Sequence, residues 1–195
     1  MAGAGDLETA AREGDRMRRR VDFDLARIAL VLAGLALWGP AATAEMLKPG
    51  DRFPDWALSD QTGATVSSHD LAGRTYLLWF YPKAQTPGCT AEGDALRDSF
   101  AAFQKEKVEI IGVSFDDPKA NAEFVRAEKF PFRLLSDRDH KLALAVGAAQ
   151  SSEQPVATRV SYLVDGNGKV LKAYAQVAPA SHAGQVLADL PATRP

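Results

Sequence analysis

Thr75 to Tyr81 reads TYLLWFY, seven consecutive residues without a charge. The run is apolar on both alternating faces, so it reads as a strand covered on both sides rather than one edged by water. Pro82 cannot donate to a sheet and ends it. A polar loop, Lys83 to Gly88, follows. From Cys89 the rhythm changes to that of a helix, with Leu96, Phe100 and Phe103 at i, i+4 and i+7. A buried strand running into a helix demands a layered α/β core, and the rest of the chain repeats the pattern. Val108–Phe115 reads as a second buried strand. Pro118 opens a helix at its favoured first-turn place, with Ala120, Phe124 and Ala127 as the inner face. Phe132–Leu135 reads as a short strand and Asp137–Val146 as a short helix. Val160–Val164 and Val170–Ala175 flank the turn Asp165-Gly166-Asn167-Gly168 as a hairpin. His182–Leu190 closes with a helix. The expectation is an α/β three-layer sandwich with a mixed central sheet. Trp56 and Trp79 are expected in its core. The 195 residues, 46% hydrophobic and 25% charged, suffice for such a core. They exclude a collagen, a coiled coil or a low-complexity chain. A net charge of −2 excludes a broad basic face for nucleic acid.

The N-terminal segment has a different logic. Arg18, Arg19 and Arg20 precede the apolar stretch Ile28–Trp38, Gly39 and Pro40 break it, and Ala42-Thr43-Ala44 follows. A positive start, an apolar core, a helix breaker and small residues make the layout of a secretory signal. The apolar core is eleven residues long, and a membrane-crossing helix needs about 20. Cleavage is expected after Ala44, with translation starting at Met1 or Met17. Residues 1–44 are then a signal peptide and 45–195 a single domain, exported to a bacterial periplasm and free of the membrane. An uncleaved anchor is the alternative.

Cys89 is the one cysteine in the chain. It cannot form an internal disulfide, a CxxC redox pair or a cysteine-rich zinc site. Its place at the start of a helix matters chemically. Unpaired N–H groups and the helix dipole favour negative charge there, and the thiolate is the nucleophilic form. A buried structural cysteine is the other common fate of a lone thiol. Position alone leaves both readings open.

The surroundings add specificity. Pro82, Thr86 and Cys89 form P-x-x-x-T-x-x-C inside Tyr81-Pro-Lys-Ala-Gln-Thr-Pro-Gly-Cys-Thr-Ala-Glu92. This stretch resembles the peroxiredoxins of the alkyl hydroperoxide reductase/thiol-specific antioxidant group, and most of all their Q-type, or bacterioferritin-comigratory, branch. The resemblance continues through Val113-Ser114, Leu134–Asp137 and Thr158–Asp165, and covers about residues 46–190. It implies a thioredoxin-like fold and a thiol-dependent peroxidase with antioxidant function. It also implies roles. Cys89 would attack a peroxide oxygen and become a sulfenic acid. Thr86 would hold the peroxide in line with the sulfur, and Pro82 would shape the loop and keep the thiolate dry. Arg159 would come from a distant strand to stabilise the sulfur and the developing charge. Tyr81, Gly88 and Glu92 would border the substrate. Each has an ordinary counterpart: Thr86 as a turn residue, Arg159 as a surface arginine, Tyr81 as core, and Glu92 as a first-turn complement to the helix dipole. His69, His140 and His182 lie isolated in polar turns without metal-ligand spacing and read as surface residues.

One departure stands out. Many Q-type members carry a resolving cysteine five residues after the reactive one, and here that place is Asp94. The resemblance then implies a one-cysteine cycle, needing no bound cofactor or metal but an external reductant. Candidates are a thioredoxin-like or glutaredoxin-like protein, a small thiol, or Cys89 of a second subunit, so that monomer and homodimer are both open. Thr86 occupies the first place of Thr-Pro-Gly-Cys, which excludes dithiol exchange within one chain. A peroxide sensor that relays oxidation to a partner, and a non-catalytic binding module on the same scaffold, are the competing functions.

Overall fold

The computed structural model describes residues 45–193. The expected signal at 1–44, its cleavage after Ala44 and the alternative start at Met17 fall outside the described residues. Strands β1 (Ala57–Asp60), β2 (Thr65–Ser67), β3 (Thr75–Phe80), β4 (Val108–Ser114), β5 (Arg133–Ser136), β6 (Val160–Val164) and β7 (Val170–Tyr174) form one sheet. Its order is β2-β1-β5-β4-β3-β6-β7. β3, β4 and β5 run parallel, and the other neighbours are antiparallel, which makes the sheet mixed. The helices are α1 (Pro87–Asp98), α2 (Phe100–Lys105), α3 (Pro118–Glu128), α4 (Lys141–Ala145) and α5 (His182–Thr193).

The TYLLWFY run divides its side chains between two cores. Tyr76, Leu78 and Phe80 join Ile111, Val113 and Tyr162 on one face, where α4 packs through Leu142 and Ala143. Leu77, Trp79 and Tyr81 point the other way, with Cys89 and Leu96 of α1, Phe103 of α2, Phe124 of α3 and Val186 of α5. Each large side chain buried this way contributes about 1.5–3 kcal/mol. Trp56 and Trp79 are both in the core, as the sequence suggests.

The differences from the sequence reading have physical causes. The helix read as continuous from Cys89 through Phe103 begins earlier, at Pro87, and breaks at Ser99, which ends α1 and starts α2. Asp98 and Ser99 are both weak helix formers. The expected helix over 137–146 is shorter, because Asp137 remains outside α4. Its carboxylate instead accepts the Leu142 and Ala143 N–H groups at 3.3 and 2.8 Å. In α3 the inward seat beside Phe124 belongs to Asn121, not Ala127, which is exposed. The buried Asn121 amide is satisfied by accepting from the Tyr81 hydroxyl at 2.7 Å and donating to Ser136 Oγ at 3.2 Å. The hairpin at 165–168 forms as expected, with the Asp165 carboxylate accepting from the N–H groups of Asn167 and Lys169, each at 2.8 Å.

Gly93 fixes how closely α1 approaches α3 and the segment after it. A Cβ there would stand 2.2 Å from the Phe130 ring, which itself packs edge-on against Phe124 at 4.8 Å. Alanine would favour the helix by up to about 1 kcal/mol. Forcing a methyl into a packed aromatic cluster costs about 1–3 kcal/mol. Gly93→Ala is therefore expected to lower the urea midpoint. An unchanged or raised midpoint would show that the Phe130 contact is slack.

Candidate active site

The site is built at the point where β3 gives way to α1. Beyond Phe80, the Tyr81 N–H still donates to the Val113 carbonyl at 3.0 Å, so the chain leaves the sheet in strand geometry. The loop is then tied from two sides. The Ala84 N–H donates to the Asp116 carboxylate at 2.8 Å, and the Thr86 hydroxyl donates to the Lys83 carbonyl at 2.9 Å. Gln85 takes the left-handed conformation, with φ +60°. Thr86 is extended and occupies the N-cap of α1, and Pro87 follows in the first turn. These constraints place Cys89 in the first turn of α1, where backbone N–H groups have no helical partner. Its side chain has no exposed surface.

Arg159 lies 70 residues further on, just before β6, and its guanidinium reaches this thiol. Nη2 donates to Cys89 Sγ at 3.3 Å. Nη1 forms a short hydrogen bond and ion pair with Glu92 Oε2. One planar group thus holds the sulfur with one nitrogen and a carboxylate with the other, a fork that lysine cannot reproduce. The arginine side chain is 19% exposed and Glu92 is wholly buried. Gly88 makes room for this arrangement, since a Cβ there would lie 3.2 Å from Arg159 Nη2.

Burial pushes the Glu92 carboxyl up to about 7, against the opposing pull of the Arg159 charge. Its Oε1 has no hydrogen-bond partner. Between the ordinary 4.5 and about 7 the folded chain binds this proton more tightly than the unfolded one. Glu92 thus contributes its full stabilisation below that window and loses it as pH rises through it. Glu92→Gln keeps the shape and removes the titration. The difference in melting temperature between wild type and this variant is expected to fall steadily across the window. A flat difference would contradict the assignment.

The structure brings Cys89, Arg159, Glu92 and Gly88 together, with Thr86 at the cap and a half-buried Pro82 at the loop entry. Tyr81 sits apart from these polar contacts. It is fully buried against Trp79 and Phe124, at centroid distances of 4.7 and 6.0 Å, and its hydroxyl is taken by Asn121. Two histidines are corrected. His182 is fully buried, not on the surface, and His140 is half-buried with its ring stacked on Phe115 at 3.7 Å. His69 is exposed, as expected. The sequence reading missed Asp116, which holds the loop, and Asn121, which holds Tyr81. The signal for Asp116 was its place two residues past a buried strand and one residue before the helix cap Asp117. A cleft of about 890 Å³ lies at the other end of β3, β4 and β5, between Thr75, Val108 and Arg133, and includes none of these residues.

A mixed sheet with a thiol at the start of a helix, held against a guanidinium from just before β6, is the arrangement expected of a thiol-based redox protein of thioredoxin-like fold. The AhpC/TSA family model matches residues 49–173. The chain is 36% identical to peroxiredoxin Bcp of Escherichia coli K12 over 146 residues, 72% of this chain and 94% of that protein. It is 38% identical to chloroplastic peroxiredoxin Q of Oryza sativa subsp. japonica over 139 residues, 71% of this chain but 64% of that longer protein. The crystal structure of peroxidoxin BcpB from Mycobacterium tuberculosis superposes with a TM-score of 0.71 at 31% identity, covering 76% of this chain and 99% of that one. The chain belongs to the AhpC/TSA family of peroxiredoxins, in its Q/Bcp group.

Proposed function

We propose that this chain is a thiol peroxidase that reduces hydrogen peroxide and organic hydroperoxides through Cys89 in a one-cysteine cycle. The observation that carries the reading is the Arg159 guanidinium, 3.3 Å from the sulfur and fixed from behind by Glu92. The thiolate sulfur attacks the terminal peroxide oxygen and the O–O bond breaks. An S–O bond forms, and the departing oxygen takes up a proton and leaves as water or alcohol. Negative charge passes from sulfur to the leaving oxygen during this step. A guanidinium beside the sulfur stabilises the charge at both ends of the transfer, and its donors are already in place in a water-poor site. Gly88 lets it approach, Thr86 offers a hydroxyl at the helix cap, and Pro82 helps close the loop. Tyr81 supports the loop from the core.

The second half-cycle needs an external thiol. Asp94 occupies the place of a resolving cysteine and forms an ion pair with Arg97 at 2.5 Å. A thiol of a thioredoxin-like or glutaredoxin-like protein, or a small thiol, condenses with the sulfenic acid to a mixed disulfide and releases water. A second thiol then restores Cys89 and leaves as part of a disulfide. No bound cofactor takes part. One equivalent of peroxide followed by dimedone is expected to label Cys89 as the sulfenic acid adduct, and dithiothreitol is expected to support turnover. Absence of both label and turnover would contradict the reading. We further propose that residues 1–44 direct export, to the bacterial periplasm, and are removed after Ala44. N-terminal sequencing of the exported chain tests this, and a start at Met1 or Met17 would overturn it.

A further inference from the structure

His182 is a buried imidazole that the peroxidase cycle described above does not use. It is the first residue of α5 and has no exposed surface. Its Nε2 lies 3.0 Å from Ser161 Oγ, and Gln185 of its own helix is the other polar side chain beside the ring. The imidazole and the Ser161 hydroxyl share one hydrogen bond, donated by whichever of the two carries the proton between them. Ser161 lies on β6 two residues after Arg159. Ser161 is the cross-strand partner of Trp79, whose side chain lies in the core that holds Cys89, so Ser161 faces the layer into which the Arg159 guanidinium reaches. Ser161 pairs across the sheet with Trp79 on β3 and with Tyr174 on β7. The segment Pro179–Ser181 just before His182 abuts the first turn of α1, and Pro179 Cγ lies 4.0 Å from where a Cβ of Gly88 would stand.

We propose that His182 is a positioning residue for Arg159: as a neutral imidazole bonded to Ser161, it locks α5 onto the start of β6 and so sets the reach of the guanidinium toward the sulfur. Neutrality is required, because an imidazolium would place a second cation under Arg159. The groups facing His182 are Arg159 just before β6, Tyr174 edge-on at 5.1 Å from β7, and Gln185 on its own helix. Burial pushes the His182 pKa down to about 4, Gln185 opposes this, and the Arg159 charge adds to the fall. The folded chain thus binds this proton less tightly than the unfolded one. The stabilisation from neutral His182 is complete above the ordinary 6.5 and is lost as pH falls toward about 4.

The proposal rests on Arg159 acting on Cys89, and its test does not require peroxidase turnover. The measurement is the rate of Cys89 alkylation by iodoacetamide in the full chain near neutral pH, with peroxide turnover followed in parallel. His182→Phe and Ser161→Ala are each expected to slow alkylation about five- to tenfold, the order set by one lost positioning hydrogen bond. His182→Gln, whose amide can restore a hydrogen bond to Ser161 as donor or acceptor, is expected to recover most of the rate. In an Arg159→Ala background, His182→Phe is expected to change nothing further, although both chains lose melting temperature. An unchanged alkylation rate in His182→Phe overturns the proposal. So does an equal slowing with and without Arg159. A wild type that shows these alkylation effects without turning over peroxide would overturn the function proposed above and leave this positioning role standing.

Discussion

Replacing Cys89 with serine is expected to abolish peroxide consumption in the presence of dithiothreitol, a loss of at least about a thousandfold. The substitution changes little else. Cys89 is buried in the same core as Tyr81 and Leu96, and serine is nearly the same size. The fold is held by the two cores flanking β3, to which one sulfur atom adds little. Serine leaves a hydroxyl beside Arg159 that can still accept a hydrogen bond, so the guanidinium keeps a partner. An alkoxide is far less accessible near neutral pH than a thiolate, and only sulfur readily accepts an oxygen atom from a peroxide. Turnover by Cys89→Ser equal to that of wild type would end the peroxidase reading, because no other thiol exists in the chain.

Arg159→Ala is expected to slow the peroxide step by about 10²–10³-fold, the usual cost of removing one preorganised donor at a site of developing charge. Its effect on stability is expected to be smaller than the loss of a buried ion pair usually implies. Removing one partner of such a pair normally strands the other charge. Here burial has already raised Glu92 to about 7, so without Arg159 it takes up a proton and becomes neutral. The variant should therefore fold, and its slowed chemistry can be read without ambiguity. Arg159→Lys should rescue little, because an ammonium cannot serve Sγ and Glu92 Oε2 with two nitrogens of one plane. Full activity in Arg159→Lys would show that charge alone suffices and that the fork geometry is irrelevant.

The sequence made the centre of the sheet legible and its edge obscure. β3, β4 and β6 are buried on both faces, so each is a run of apolar residues that admits few alternatives. β1 and β2 are short and half-exposed, with mixed side chains in Ala57–Asp60 and Thr65–Ser67, and they carry no such run. Asn121 was missed and His182 misplaced for a common reason. Polarity in a sequence suggests water, yet each sits in the core on hydrogen-bond partners contributed by other elements. The approach of Arg159 to Cys89 has no local signal at all. Seventy residues separate them, and only the resemblance to a family raised the contact before the structure displayed it. Glu92 was open between a dipole partner and a site residue, and the structure shows it buried in an ion pair with Arg159.

A guanidinium held on the sulfur is expected to make Cys89 unusually reactive toward peroxides. The direct measurement is the rate at which hydrogen peroxide consumes the Cys89 thiol in a single turnover at neutral pH, followed by rapid mixing without any reductant. The account predicts a rate at least about a thousandfold above that of free cysteine, falling steeply in Arg159→Ala. A wild-type rate equal to that of free cysteine would contradict it.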